Sequence, residues 1–120
     1  MTGSWTLYAV RQARVANIFE SIPAAQPVAI FGSLAAGGGV KIVRIVSRGH
    51  TTPADNWYDQ EKNEWVLVLR GSAVIAFPEK PAVTLLEGDY LTIRAHEKHR
   101  VQWTDPGRET VWLAVHYQDE

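Results

Sequence analysis

The sequence predicts an all-β fold, a closed barrel or sandwich of about nine short strands. Three observations carry that prediction. Runs rich in β-branched and aromatic residues recur from Val28 to Tyr117, each ended by Gly, Pro, Asp, Asn or Ser. Several of these runs alternate with a period of two, so that one face is apolar. Helix signals are nearly absent: the one candidate, residues 14–21, allows one or two turns before Ile22-Pro23 ends it.

The elements follow in order. VAIFGSLA is a strand stopped by Gly37-Gly38-Gly39, and VKIVRIVS is a second, ended at Arg48-Gly49. NWYDQ is a short third strand before the polar turn Glu61-Lys62-Asn63. EWVLVLR runs to Gly71-Ser72 and AVIAF follows at once, which makes a tight hairpin. AVTLL, YLTIR, HRVQWT and ETVWLAVHY complete the set, with turns at Pro78–Pro81, Glu87-Gly88-Asp89 and Asp105-Pro106-Gly107. The 120 residues suit one domain, with 1–27 as an N-terminal extension and 28–117 as the barrel.

Composition narrows the function classes. Hydrophobic residues make up 46% and charged residues 21%, as in ordinary globular proteins. A net charge of −1 offers no broad attraction for nucleic acid or an anionic membrane. No stretch approaches the roughly 20 apolar residues of a membrane helix. The N-terminus does not read as a secretory signal, so the expected location is cytoplasmic. There are no cysteines, which excludes disulfides, thiolate metal sites and a Cys nucleophile. Five Trp point to a bulky core, an aromatic pocket or a subunit interface.

The alternation places two ionisable groups inside. In HRVQWT, strict alternation sets His99, Val101 and Trp103 on the inner face. In EWVLVLR, Glu64 shares a face with Val66 and Val68, while Trp65, Leu67 and Leu69 form a second apolar face for another sheet or a partner. A buried carboxylate without a partner costs several kcal/mol. Glu64 and His99 are less costly together, and less costly still around a cation. The plain alternatives are a hydrogen-bonded barrel histidine for His99 and a salt bridge to Arg70, Arg94 or Arg100 for Glu64.

These motifs resemble those of the cupins, the small double-stranded β-helix or jelly-roll family. Its first motif is G-x5-H-x-H-x3,4-E-x6-G; Gly49 opens it here, and Glu64, six residues and Gly71 close it. Its second is G-x5-P-x-G-x2-H-x3-N; Gly88 starts it and His99 stands at the histidine. The resemblance spans about residues 40–117. The H-x-H is absent: one count back from Glu64 reaches Trp57 and Asp59, the other Tyr58 and Gln60. Arg94, His96 and Trp103 replace the Pro, Gly and Asn of the second motif.

What the resemblance implies is a divalent metal, Zn, Mn, Fe or Ni, held by Glu64 and His99 with Asp59 and His96 in the vacated places. Trp57, Tyr58, Gln60, Arg94 and Trp103 would then contact a small organic substrate. Asp59 reads equally as a turn cap, His96 as an exposed loop residue, and the three aromatics as core. His50 reads as a surface turn residue and His116 as a packed core or interface histidine. The implied functions are a metal-dependent isomerase, dioxygenase or lyase, a non-catalytic binding module, or a metal-free structural dimer. A homodimer is expected in each case.

Overall fold

A computed structural model describes residues 15–119. Eight strands form two antiparallel sheets. They are β1 (Ile30–Gly37), β2 (Val40–Ser47), β3 (Asn63–Arg70), β4 (Ala73–Ala76), β5 (Val83–Leu85), β6 (Tyr90–Ile93), β7 (Arg100–Thr104) and β8 (Thr110–Tyr117). The larger sheet has the order β1-β2-β8-β3-β6, the smaller β5-β4-β7. Their inner faces enclose Val43, Val66, Val68, Ala73, Ile75, Phe77, Leu85, Trp112 and Ala114. Burying each Val side chain in this set contributes about 1.5–3 kcal/mol.

The expected third strand, NWYDQ, does not form. Pro53 begins a turn closed by the Asn56 N–H donating to the Pro53 carbonyl, 3.0 Å. What remains of the strand is a single bridge between Tyr58 and His99. The loop instead follows β7 at separate points. Thr52 N–H donates to the Val101 carbonyl (2.9 Å) and Tyr58 N–H to the His99 carbonyl (2.8 Å). Asn63 is not in a turn: it begins β3 and is buried.

No helix occurs among the described residues. Residues 18–21 form a turn. Asn17 accounts for it, since its Oδ1 accepts from Phe19 N–H (2.8 Å) and its own N–H donates to Glu20 Oε1 (2.7 Å). These local bonds compete with helix propagation. Arg14, the start of that candidate, lies outside the described residues. Arg44 anchors the turn to the sheet, donating to the carbonyls of Ile18 (3.0 Å) and Glu20 (2.6 Å).

Alternation holds in β3, where Glu64, Val66 and Val68 are buried and Trp65, Leu67 and Leu69 half-buried. It fails in β7. Val74 pairs with Trp103 but the next residue, Ile75, pairs with Val101, so Gln102 is a bulge. The bulge changes the phase of the strand. Val101 stays inside, Trp103 turns outward and is 40% exposed, and Thr104 becomes the buried residue.

The β3–β4 hairpin depends on Gly71, whose φ is +90°. A Cβ there would collide with Thr110 Oγ1, and would lie 2.7 Å from Thr110 Cα and 2.9 Å from the Glu109 carbonyl oxygen. Both backbone strain and contact therefore require glycine. Gly71→Ala is expected to lower unfolding stability by about 2 kcal/mol or more in a urea titration. An unchanged midpoint would refute the steric account.

Candidate functional site

A cavity of about 500 Å³ lies between the sheets, toward the β1–β2 side. Its walls are mainly apolar and include Phe31, Val43, Ile45, Val66, Ile75, Ile93, Val101 and Trp112. Tyr58, Gln60, Glu64, His99 and His116 form its polar part, with Lys41 and His50 near the rim residues. The pairing of β3 with β8 puts Glu64 directly opposite His116. The 94–99 loop then brings His99 in from the start of β7.

Glu64 and His99 are 7% and 4% exposed. Glu64 Oε1 lies 3.5 Å from His99 Nε2, and Glu64 Oε2 lies 3.7 Å from His116 Nε2. One buried carboxylate thus faces two imidazoles. His99 Nδ1 donates to the Glu97 carbonyl (2.9 Å), which fixes the ring and turns Nε2 toward Glu64. Burial alone would depress the His99 pKa. The Glu64 carboxylate and the Glu97 carbonyl outweigh it, and the pKa lies above the usual imidazole value.

The structure brings together Tyr58, Gln60, Glu64 and His99 and sends the other expected site residues elsewhere. Asp59 Oδ1 pairs with His96 Nδ1 at 2.7 Å, with both side chains well exposed. Trp57 and His96 line a separate surface groove with Phe77 and Lys80. Arg94 reaches the opposite way to Asp119, 2.9 Å. Trp103 is outside because of the bulge. The arginines do not meet Glu64 either: Arg70 pairs with Glu109, and Arg100 lies over the Trp57 ring at 5.4 Å.

The four-donor set for a metal is therefore not assembled. Asp59 and Glu64 are separated by the turn into β3, and Asp59 and His96 satisfy each other at the surface. Among the described residues no group of three or more His, Asp or Glu is arranged to hold a metal ion. The donors as placed do not fit the ion that the sequence motifs imply.

Two residues of the site lie outside the ligand and substrate sets expected from the sequence. His116 was assigned to packing, although its parity with Trp112 and Ala114 already put it on the inner face. Asn63 supports the site from behind β3. Its Oδ1 accepts from Ala95 N–H (2.9 Å) and its Nδ2 donates to Asp119 (3.0 Å), which ties the 94–99 loop to the sheet.

Solved structures share this architecture. A "putative mannose-6-phosphate isomerase" from Ralstonia eutropha is 42% identical, with 88% of this chain and 98% of that one covered and a TM-score of 0.84. A cupin superfamily protein from Desulfitobacterium hafniense is 22% identical over 82% and 84% of the chains, TM-score 0.67. This chain has the cupin fold. A cupin domain from Bordetella pertussis, 20% identical over 81% and 100% of the chains, has the same fold at a TM-score of 0.60. No family model matches the sequence, and the curated proteins contain no match.

Among cupins this one departs at His96, which occupies the glycine position of the second motif. Its φ is +64°, a left-handed conformation that costs a non-glycine residue about 1–2 kcal/mol. Its N–H donates to the Gln60 carbonyl (2.8 Å) and its ring holds Asp59, so the same residue strains the loop and clamps it.

Two predictions follow from this geometry. His96→Gly relieves the strain and His96→Ala does not, so the Gly variant should unfold with about 1 kcal/mol more stability than the Ala variant. Equal midpoints in denaturant would remove the strain. His99 should titrate above the ordinary imidazole value by NMR, and Glu64→Gln should bring its midpoint down. Because the folded-state pKa is raised, its stabilising contribution is fully present below about pH 6.5. It is lost as pH rises through the elevated His99 value. A His99 midpoint at or below the ordinary value would contradict the pairing with Glu64.

Proposed function

We propose that this cupin binds a small organic molecule, largely apolar with one polar end, in the cavity between its sheets. The supporting observation is the distribution of groups on the cavity wall. One buried carboxylate and two imidazoles sit together, and most other lining residues are aliphatic or aromatic. The Glu64–His99 pair suits a hydroxyl or carbonyl group: the imidazolium donates a hydrogen bond, and the carboxylate accepts one. The same pair suits proton transfer, with Glu64 as base and His99 as acid on adjacent atoms of the ligand. Tyr58 and Gln60 flank it and set orientation.

A second reading comes from the Ralstonia protein's name. Isomerisation of a phosphorylated sugar also needs a proton carried between neighbouring carbons, and Glu64 with His99 supplies that chemistry. Lys41 supports a phosphate contact. It is the single Lys or Arg among the described lining residues, whereas a sugar phosphate brings a dianion and several hydroxyls. The apolar walls therefore favour the first reading. The metal implied by the sequence motifs, Zn, Mn, Fe or Ni, would need Glu64, His99 and His116 to converge on one point, or a rearrangement of Asp59 and His96.

A thermal-shift screen distinguishes these readings. Small aromatic or aliphatic alcohols, ketones and acids should raise Tm, by about 3 kcal/mol of stabilisation at a hundredfold excess over Kd. Glu64→Gln and His99→Ala should each weaken binding by about 10- to 100-fold. Asp59→Asn should leave it unchanged. A shift with mannose 6-phosphate that Lys41→Ala abolishes would replace the first reading with the second. Stoichiometric metal by elemental analysis, lost in Glu64→Gln and His99→Ala alike, would overturn the metal-free site.

A further inference from the structure

We infer that the ligand of this cavity is a monocarboxylic acid with an apolar body and a hydroxyl or carbonyl group near the carboxylate, and that Lys41 selects it by pairing with that carboxylate. The inference rests on the binding reading above and names the ligand class for the same site. It comes from the way strand register sorts the inner face of the larger sheet into rows.

Cross-strand partners set neighbouring side chains side by side. The first row runs Lys41, His116, Glu64, Ile93 across β2, β8, β3 and β6. The second runs Val43, Ala114, Val66, Leu91 across the same strands. The third runs Phe31, Ile45, Trp112, Val68 across β1, β2, β8 and β3. Side chains on one face of a strand recur every two residues, so successive rows are about 7 Å apart. The ionisable residues all stand in the first row, and those named in the other two are all apolar. His99 adds to the first row, because its Nε2 faces Glu64. The sheet is therefore polar at one end and apolar over about the next 14 Å. His50 and Thr52 follow the far end of β2 and also line the cavity, but both are engaged. His50 is held by Arg48 and Gln26, and Thr52 accepts from Val101 N–H.

Charge gives the ligand its sign. Glu64 is the one acid among the described lining residues, and His99 and His116 both face it. Lys41 has no ion-pair partner among the described residues. Residues 1–14 contain no Asp or Glu, which leaves Glu120 as the one acid outside the described residues. The wall thus presents a cation without an anion, one strand from His116. A ligand carboxylate answers it with a charge-assisted hydrogen bond. A single Lys matches a single negative charge, and the two apolar rows penalise any further charge. Neighbouring strands lie about 4.8 Å apart, so the Lys41 and Glu64 backbones are about 10 Å apart. The long Lys side chain bridges part of that gap. The carboxylate and the group read by Glu64 and His99 are then a few bonds apart on the ligand, with its apolar body over the second and third rows.

Calorimetric titration of the full chain with a matched series tests this. The probes are 2-hydroxy-3-phenylpropanoate, its amide, which lacks the charge, and 3-phenylpropanoate, which lacks the hydroxyl. 2-Hydroxyoctanoate supplies a longer body. The hydroxy acids should bind about 10- to 100-fold tighter than the amide. Lys41→Met should erase that gap and keep the preference for the hydroxyl, and Lys41→Arg should keep both. Arg108 pairs with Glu87 and does not line the cavity, so Arg108→Met should change neither. Far-ultraviolet spectra and melting curves check that each variant folds.

Equal binding of hydroxy acid and amide overturns the inference and leaves the binding reading standing. An acid preference that survives Lys41→Met overturns it as well, and so does one that Arg108→Met also removes, since net charge would then account for it. A gain of about tenfold in acid affinity in Glu120→Gln would show Lys41 already paired, with the same consequence. Tighter binding of 2-phenylethyl phosphate than of the acids would replace the carboxylate with a phosphate monoester. Failure of the whole series to bind would sink the binding reading itself, and the ligand class with it.

Discussion

A buried carboxylate that must be satisfied is the constraint around which the site is arranged. Glu64 cannot be replaced in its wall by chance, because an unpaired acid at 7% exposure would cost several kcal/mol or take up a proton. The fold answers with two imidazoles from different directions. His116 comes from the neighbouring strand in direct register, and His99 comes across the space between the sheets. Neither contact is a short hydrogen bond, at 3.5 and 3.7 Å, so the carboxylate keeps room to accept from a ligand. The three side chains are satisfied by one another, so the site and the stability of its wall are coupled.

The loops that bring these groups together are held by backbone conformations that few residues tolerate. Gly71 lets β3 turn into β4 without displacing Thr110. Gly88 N–H donates to the Val68 carbonyl (2.8 Å) and so ties the turn before β6 to the middle of β3. His96 holds a left-handed conformation with its own side chain as the brace. Asn63 fastens the same loop from the sheet side. His99 is placed by this chain of supports and by the bridge to Tyr58, more than by any preference of its own sequence.

Much of this was legible in the sequence, and the limits have physical causes. Eight of the nine expected strands form, because period-two alternation and turn residues report burial directly. The parity of Glu64 in β3 was readable for the same reason. The position of Trp103 was not, since a bulge is set by pairing with β4 and leaves no mark in the alternation of HRVQWT. NWYDQ has strand-like residues but follows Pro53, and its neighbours offered one bridge instead of a ladder. Asp59 and His96 were grouped with Glu64 by counting along the chain. Counting does not reveal that Asp59 stays at the surface while Glu64, five residues on, enters the cavity wall.

The four histidines make the general point, because residue type alone gave them similar claims to a ligand role. What separates them is which ring nitrogen is engaged and where the other one points. His50 has both committed: Nδ1 accepts from Arg48 N–H (2.9 Å), so the proton sits on Nε2 and is donated to the Gln26 carbonyl (3.1 Å). It is a tie that holds the 26–29 segment at the cavity rim, and it has nothing left for a ligand. His96 spends its Nδ1 on Asp59 in solvent. His99 commits Nδ1 to a carbonyl and leaves Nε2 facing Glu64, and His116 turns its Nε2 to the same acid. A histidine with one nitrogen anchored and the other facing a buried carboxylate is oriented, and its pKa is raised by the same contacts. That combination exists at His99, whose Nε2 faces Glu64 across the space between the sheets.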